Sequence, residues 1–299
     1  MTAATSLDAA GERIEGRFRE VGVTGHLYAA DIDTGREIAV RGDALVVLAS
    51  VFKVPLLVTL HRLAAAGAFD LAEAVTLPPE GRTSGPTGIS AMLDEVRMSL
   101  RDLSALMITV SDNAAGDVLY ARVGPAAVNA AMDELGLHRT RVVADGRELH
   151  DALLRDAGVA DFGDLWERLD EPGLLPSLRV LDPERTNRST PREIARLLAS
   201  IWRDEAAPAD ACAQMRRLFG LQVWPHRLSS GFPFDDVRVS GKTGTLPTIR
   251  NEVGVVEYPD GGRYAVAVFT RSLGTGAVMP EVDAAIGTTA RMAVEALRS

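Results

Sequence analysis

Apolar residues recur along this chain at two spacings, and the changes between them divide it into three parts. Near the start, Ile14, Phe18 and Val21 share one face at helical spacing, which predicts an amphipathic helix beginning soon after Met1. Residues 22–32 (GVTGHLYAADI) and 36–40 (REIAV) read as strands around the turn signal Asp33-Thr34-Gly35. From Val51 to about Ala65 the period becomes helical, and it is helical again over 99–109, 114–122, 125–136 and 190–203. Before the last of these, Ser189-Thr190-Pro191 with Glu193 supplies an N-cap, a first-turn proline and capping-box chemistry. After about residue 235 strands return as VRVSG, NEVGVVEYP and RYAVAVFTR, with Pro259-Asp260-Gly261-Gly262 as a hairpin turn. A final helix spans Pro280 to about Leu297, and the polar, turn-rich stretch 145–187 predicts a long, partly helical excursion on the surface.

Strands at both ends with helices between them predict an α+β fold. The terminal strands pack into one antiparallel sheet, the first and last helices flank it, and an all-helical lobe is inserted. The expected organisation is a single catalytic domain over 1–299, with a sheet lobe of about 1–48 and 210–299 and a helical lobe of about 49–209. The seams fall near residues 45–50 and 205–240.

Composition narrows the function. A net charge of −9 without any Lys/Arg block argues against nucleic acid as a partner. No apolar run approaches a membrane span, so no membrane partner is expected. Cys212 is the single cysteine, which excludes an internal disulfide and a thiolate metal cluster. His26, His61, His138 and His226 lack metal-ligand spacing, so neither metal nor cofactor is expected. Trp166, Trp202 and Trp224 read as core or groove walls. The N-terminus has no basic start, apolar middle or small-residue cleavage site, which points to the cytoplasm; a trimmed secreted chain is the alternative.

The cations carry the sharpest signal. Of 32 lysines and arginines only Lys53 and Lys242 are lysine. Unlike a guanidinium, an ammonium can lose its proton when desolvated and act as a base. Lys53 lies in the apolar run VLASVFKVPLL, three residues after Ser50 and on the same helical face. An apolar setting lowers the lysine pKa, so a neutral amine there could take the hydroxyl proton and make Ser50 a nucleophile. Two further elements follow: Ser111-Asp112-Asn113, which also suits a helix N-cap, and Ser240-Gly241-Lys242-Thr243-Gly244-Thr245, which also suits a strand running into a turn.

In this order, Ser-x-x-Lys, Ser-Asp-Asn and Lys-Thr-Gly form the motif set of penicillin-recognising serine enzymes. From about residue 20 to its end, the chain resembles a class A β-lactamase-type serine hydrolase, including SLRDLSALMITVSDNAAGDVL, TNRSTPREIARLL and KTGTLPTIRNEVGVVEYPDGGRYAVAVFT. The resemblance implies a β-lactamase/transpeptidase-like fold. It implies Ser50 as the acylated nucleophile, Lys53 as its proton acceptor or relay, and Ser111 as the group that passes the proton to the leaving group. Lys242 would hold Ser111 and attract a substrate carboxylate. Asn113 would bind the acyl-amide side chain, and Thr243 and Thr245 would line the substrate strand. Backbone N–H groups of Ser50 and Thr245 would form the oxyanion hole, where a lost donor costs roughly 3–4 kcal/mol in comparable hydrolases. Arg250 would bind the substrate carboxylate.

One part of the pattern is broken. The family's deacylating glutamate sits in an Ω-shaped loop, and the matching segment here is LGLHRTRVVADGRELHDALL. Aligning Glu148-Leu149 puts Gly146 at the base position and His150 at the family's asparagine. Glu148 is the first candidate for the base, and His150 and Glu171 in LDEPGLL are the other two. The expected function is a serine hydrolase acting through an acyl-serine on an amide, ester or β-lactam. An acyltransferase of the same mechanism and a non-catalytic β-lactam or peptide sensor are the alternatives. The expected partner is a small-molecule or peptide-like substrate bearing a carboxylate; the sequence does not specify an oligomeric state.

Overall fold

The computed structural model describes residues 3–299, with side chains from Leu7 onward. Helix α1 (Ala3–Glu20) buries Ile14 and Phe18 completely, with Val21 partly buried just past its end. Strands β1 (Val23–Asp31) and β2 (Glu37–Val40) turn where Asp31 Oδ1 accepts from the N–H groups of Asp33 and Thr34. Next come β3 (Val46–Val47), a 3₁₀ turn over Ala49–Phe52 and α2 (Lys53–Ala65). A small hairpin of β4 (Ala74–Leu77) and β5 (Val96–Ser99) leads into α3 (Leu100–Thr109), α4 (Asn113–Val123) and α5 (Pro125–Glu134). The chain continues through α6 (Gly146–Ala157), α7 (Phe162–Arg168), α8 (Leu174–Ser177), β6 (Arg188–Ser189), α9 (Pro191–Trp202) and α10 (Ala209–Phe219). It closes with β7 (Arg238–Leu246), β8 (Ile249–Glu257), β9 (Arg263–Ser272) and α11 (Pro280–Arg298).

The main sheet has the antiparallel order β2-β1-β9-β8-β7, so the first strand joins the last one and the two chain ends form one sheet, as expected from the sequence. Side chains alternate between its faces. Val266 and Val268 pack under α1 and α11, while Ala265, Ala267 and Phe269 face α9 and the helical lobe. Burial on both faces explains why β8 and β9 read as nearly continuous apolar runs. Phe18 anchors one side, and truncating such a buried ring to alanine costs about 3–5 kcal/mol.

Two segments depart from the sequence reading. The stretch 145–187 is more deeply embedded than a surface excursion, since Leu149, Leu153, Leu165, Leu169, Val180 and Leu181 join the core beneath α4. Its first helix starts from a capping box. Asp145 accepts from the Glu148 N–H, and Glu148 accepts from the Asp145 N–H. Residues 209–219, assigned by sequence to the sheet lobe, are helical and pack against α2, α3 and α9. Among the described residues no helix is long and apolar enough to cross a membrane.

Candidate active site

Ser50 lies in the 3₁₀ turn between β3 and α2, at the junction of the sheet and the helical lobe. The turn is held from both sides. Asn251 Nδ2 of β8 donates to the carbonyls of Val47 and Leu48 at 2.9 and 3.3 Å, and β7 presses against it at Gly244. A Cβ on Gly244 would stand 2.7 Å from the Leu48 oxygen, so the glycine of Lys-Thr-Gly is needed for this close approach. Ala49, just before the serine, has φ 47°, a left-handed backbone that a non-glycine residue holds only when its surroundings force it.

Lys53 starts α2 and is fully buried. Its Nζ has four acceptors: the Ser111 carbonyl at 2.7 Å, Ser111 Oγ at 3.5 Å, the Asp112 carbonyl at 3.2 Å and Asn113 Oδ1 at 3.0 Å. Burial lowers its pKa from 10.5 to about 8, against the opposing pull of the Asp117 and Asp112 charges. Lys242, on β7 and also fully buried, donates to Ser111 Oγ at 2.9 Å and to the Thr243 carbonyl at 2.9 Å. Burial holds its pKa well below the ordinary lysine value, and the charge of Lys53 lowers it further while Glu252 opposes. Glu252 is itself buried, which raises its pKa to about 7; it accepts from the Leu228 N–H and from Gln222 Nε2.

Ser111 therefore bridges the two lysines through one hydroxyl. Its φ of 61° is strained for a serine. Its neighbours divide the work of holding the loop. Asp112 is the N-cap of α4, accepting from the Ala115 N–H, and is fixed by Ser90 Oγ at 2.9 Å. Asn113 donates through Nδ2 to the Ser84 carbonyl at 3.1 Å. One helical turn on, Asp117 accepts from the Gly146 N–H at 2.8 Å and from Thr83 Oγ1, and burial raises its pKa.

Two cavities open at Ser50. One, of about 320 Å³, is lined by Ser50, Ser111, Asn113, Thr243, Thr245, Arg227, His226 and Trp224 among others. The other, of about 410 Å³, shares Ser50, Asn113 and Thr245 and is walled by Gly146, Leu149, His150, Phe162 and Trp166. Ser50, Ser111, Asn113, Thr243 and Thr245 thus line one cleft with Lys53 and Lys242 buried beneath it, all seven supplied by three separate stretches of the chain.

A family model described as the β-lactamase enzyme family matches residues 9–297. This chain belongs to that family. The β-lactamase regulatory protein BlaB of Streptomyces cacaoi is 34% identical over 94% of this chain and 95% of its own. A β-lactamase of Streptomyces albus G is 27% identical over 98% and 86% of the two chains. The solved structure of a β-lactamase from Sphaerobacter thermophilus superposes with a TM-score of 0.76 at 26% identity, covering 98% of this chain and 97% of that one.

Against the β-lactamase motif set, three sequence expectations fail. Glu148 is exposed and turned back onto its own helix, where its carboxylate closes the capping box; it is absent from the cleft lining. Glu171 lies on the surface in an ion pair with Arg168 at 2.8 Å. Arg250 is buried, but its guanidinium donates to the carbonyls of Leu246, Ile249 and Ala277 at 3.0, 2.9 and 2.8 Å, away from the cleft. The guanidinium that lines the cleft belongs to Arg227, paired with Asp283 at 2.6 Å and donating to Thr245 Oγ1 at 2.9 Å. Arg227 stands in a loop without a pattern, so no sequence signal marks it. Asp117 had a weak one: it is an acid inside an otherwise apolar helix, four residues after Asn113.

Proposed function

We propose that this protein is a serine hydrolase that forms an acyl-enzyme on Ser50 from a carboxylate-bearing lactam, amide or ester and releases it slowly. The convergence of the half-buried Ser50 with Ser111 and the two buried lysines at one cleft carries this reading. Loss of a proton by Lys53 gives a base for the Ser50 hydroxyl. Ser50 Oγ then bonds to the carbonyl carbon as the C–N or C–O bond breaks. Ser111, held between Lys53 and Lys242, hands a proton to the leaving atom. Arg227 and Lys242 supply positive charge for the substrate carboxylate. Slow release is favoured by the cavity that Gly146 shares with Ser50, whose lining carries no carboxylate to activate water; the Asp117 carboxylate behind Gly146 is taken up by the Gly146 N–H and Thr83 Oγ1.

A second reading has its own support. A long-lived acyl-enzyme suits a β-lactam sensor, and a 34% identical relative is named a β-lactamase regulatory protein. Both readings require the covalent step. Intact-protein mass spectrometry after exposure to benzylpenicillin tests it. We expect a stoichiometric adduct on Ser50 that is absent in Ser50→Ala; labelling of Ser50→Ala at another residue would refute the mechanism. An adduct that decays over minutes supports the hydrolase, and one that persists for many hours supports the sensor.

A further inference from the structure

We propose that His150 is the catalytic residue that activates water against the Ser50 acyl-enzyme. This deepens the acyl-serine reading above and rests on it. Helix α6 runs from Gly146 along the cleft, and residues four apart on a helix share a face. Gly146, Leu149 and His150 therefore wall the same cavity as Ser50, whereas Glu148 faces away and caps the helix. Among the described residues no protein group forms a hydrogen bond with either ring nitrogen of His150. The ring is fixed by Phe162, which meets it edge-on with centroids 4.9 Å apart at 70°. A held but unpartnered imidazole facing a nucleophile's cavity of about 410 Å³ can bond a water molecule there.

The surrounding charges keep that imidazole able to accept a proton. Burial and the positive charge of Lys53 lower its pKa, while Asp151 on the same helix opposes them, so the neutral form dominates at pH 7. In the step itself the water oxygen bonds to the acyl carbon while His150 takes the water proton. The C–Oγ bond then breaks, and the imidazolium returns the proton to Ser50 Oγ. The products are a free carboxylic acid and the original enzyme.

His226 also lines the cleft, but in the other cavity, next to Arg227. When a lactam ring opens, the amine stays tethered to the acyl group, so its carboxylate remains beside Arg227 and Lys242. Water is excluded from that side and approaches from the side of α6.

The test follows benzylpenicillin adduct decay by intact mass in the parent, His150→Gln, His150→Phe and His226→Gln. Phenylalanine preserves the aromatic contact with Phe162, and glutamine preserves polarity without a base. We expect both His150 variants to form adduct within about threefold of the parent rate and to lose it at least tenfold more slowly. His226→Gln should slow decay far less than either His150 variant does. Equal decay in the His150 variants, a larger effect at His226, or loss of acylation in both His150 variants would overturn the assignment. Failure of the parent to form any adduct would overturn the acyl-serine reading itself, and this role with it.

Discussion

Acylation of Ser50 is expected to switch on as the pH rises through the titration of Lys53. A buried ammonium must shed its proton before it can accept one from Ser50, and its pKa is lowered to about 8. The neutral fraction then climbs from about 1% at pH 6 to about 90% at pH 9, a rate span of roughly 90-fold, or about 2.7 kcal/mol in apparent barrier. Asp117 offers a perturbation of known sign, because its charge raises the Lys53 pKa. Asp117→Asn keeps an oxygen for the Gly146 N–H and an amide donor for Thr83, but removes the charge. The midpoint should move below 8, and the variant should acylate several-fold faster than the parent at pH 6.5. Stopped-flow acylation by a chromogenic cephalosporin, read as burst rate against pH, measures both. A flat profile between pH 6 and 9, or a midpoint displaced upward by Asp117→Asn, would show that Lys53 is not the proton acceptor.

Three further outcomes follow from contacts around the same residues. A Cβ on Gly116 would lie 3.1 Å from Lys53 Cε, so Gly116→Ala should displace the amine and slow acylation about tenfold, roughly 1.4 kcal/mol, while the thermal midpoint changes little. Gly146→Glu should fail to speed hydrolysis and should lower stability by about 1–3 kcal/mol in urea titration, because its Cβ would come within 2.8 Å of Asp117 Oδ1 and push that carboxylate off the Gly146 N–H. Arg227→Ala should raise KM for carboxylate-bearing substrates far more than for neutral esters, as steady-state kinetics will register; Arg250→Ala should instead lower stability without that selectivity.

What the sequence makes legible follows from how local each signal is. Helical and strand periods locate α1, β1, α9 and the three C-terminal strands because those elements present one or two apolar faces to a core. The motif residues are legible because few spacings satisfy the chemistry. Glu148 shows where local rules compete. Asp145 and Glu148 stand three apart before an apolar-periodic helix, which is the capping-box signature, and the helix's own unsatisfied N–H groups claim that carboxylate. The exchange of Arg250 for Arg227 has no such trace. Arg250 pairs with Thr245 across β7 and β8, which places it beside the cleft in register. Its long side chain nevertheless turns to carbonyls at 276–277, while a loop distant in sequence delivers Arg227. The β4–β5 hairpin escapes for another reason: its strands are four residues long and almost none of their residues are fully buried, so they carry no clear alternation.

The scarcity of lysine then acquires a physical meaning. Holding Lys53 at a pKa near 8 means the folded state binds its proton more weakly than the unfolded chain does, at 10.5. Stability contributed by this group therefore rises between about pH 8 and 10.5, and at neutral pH the buried ammonium costs about 3 kcal/mol. The left-handed backbones of Ala49 and Ser111 add to that, at about 1–3 kcal/mol each. An arginine at residue 53 could not lose its proton. Outside residues 53 and 242 a cation needs only to stay charged, and arginine serves. At residue 53 the proposed chemistry needs an amine that can give up its proton, and the two-faced core of the sheet and helical lobe supplies the stability that tolerates it.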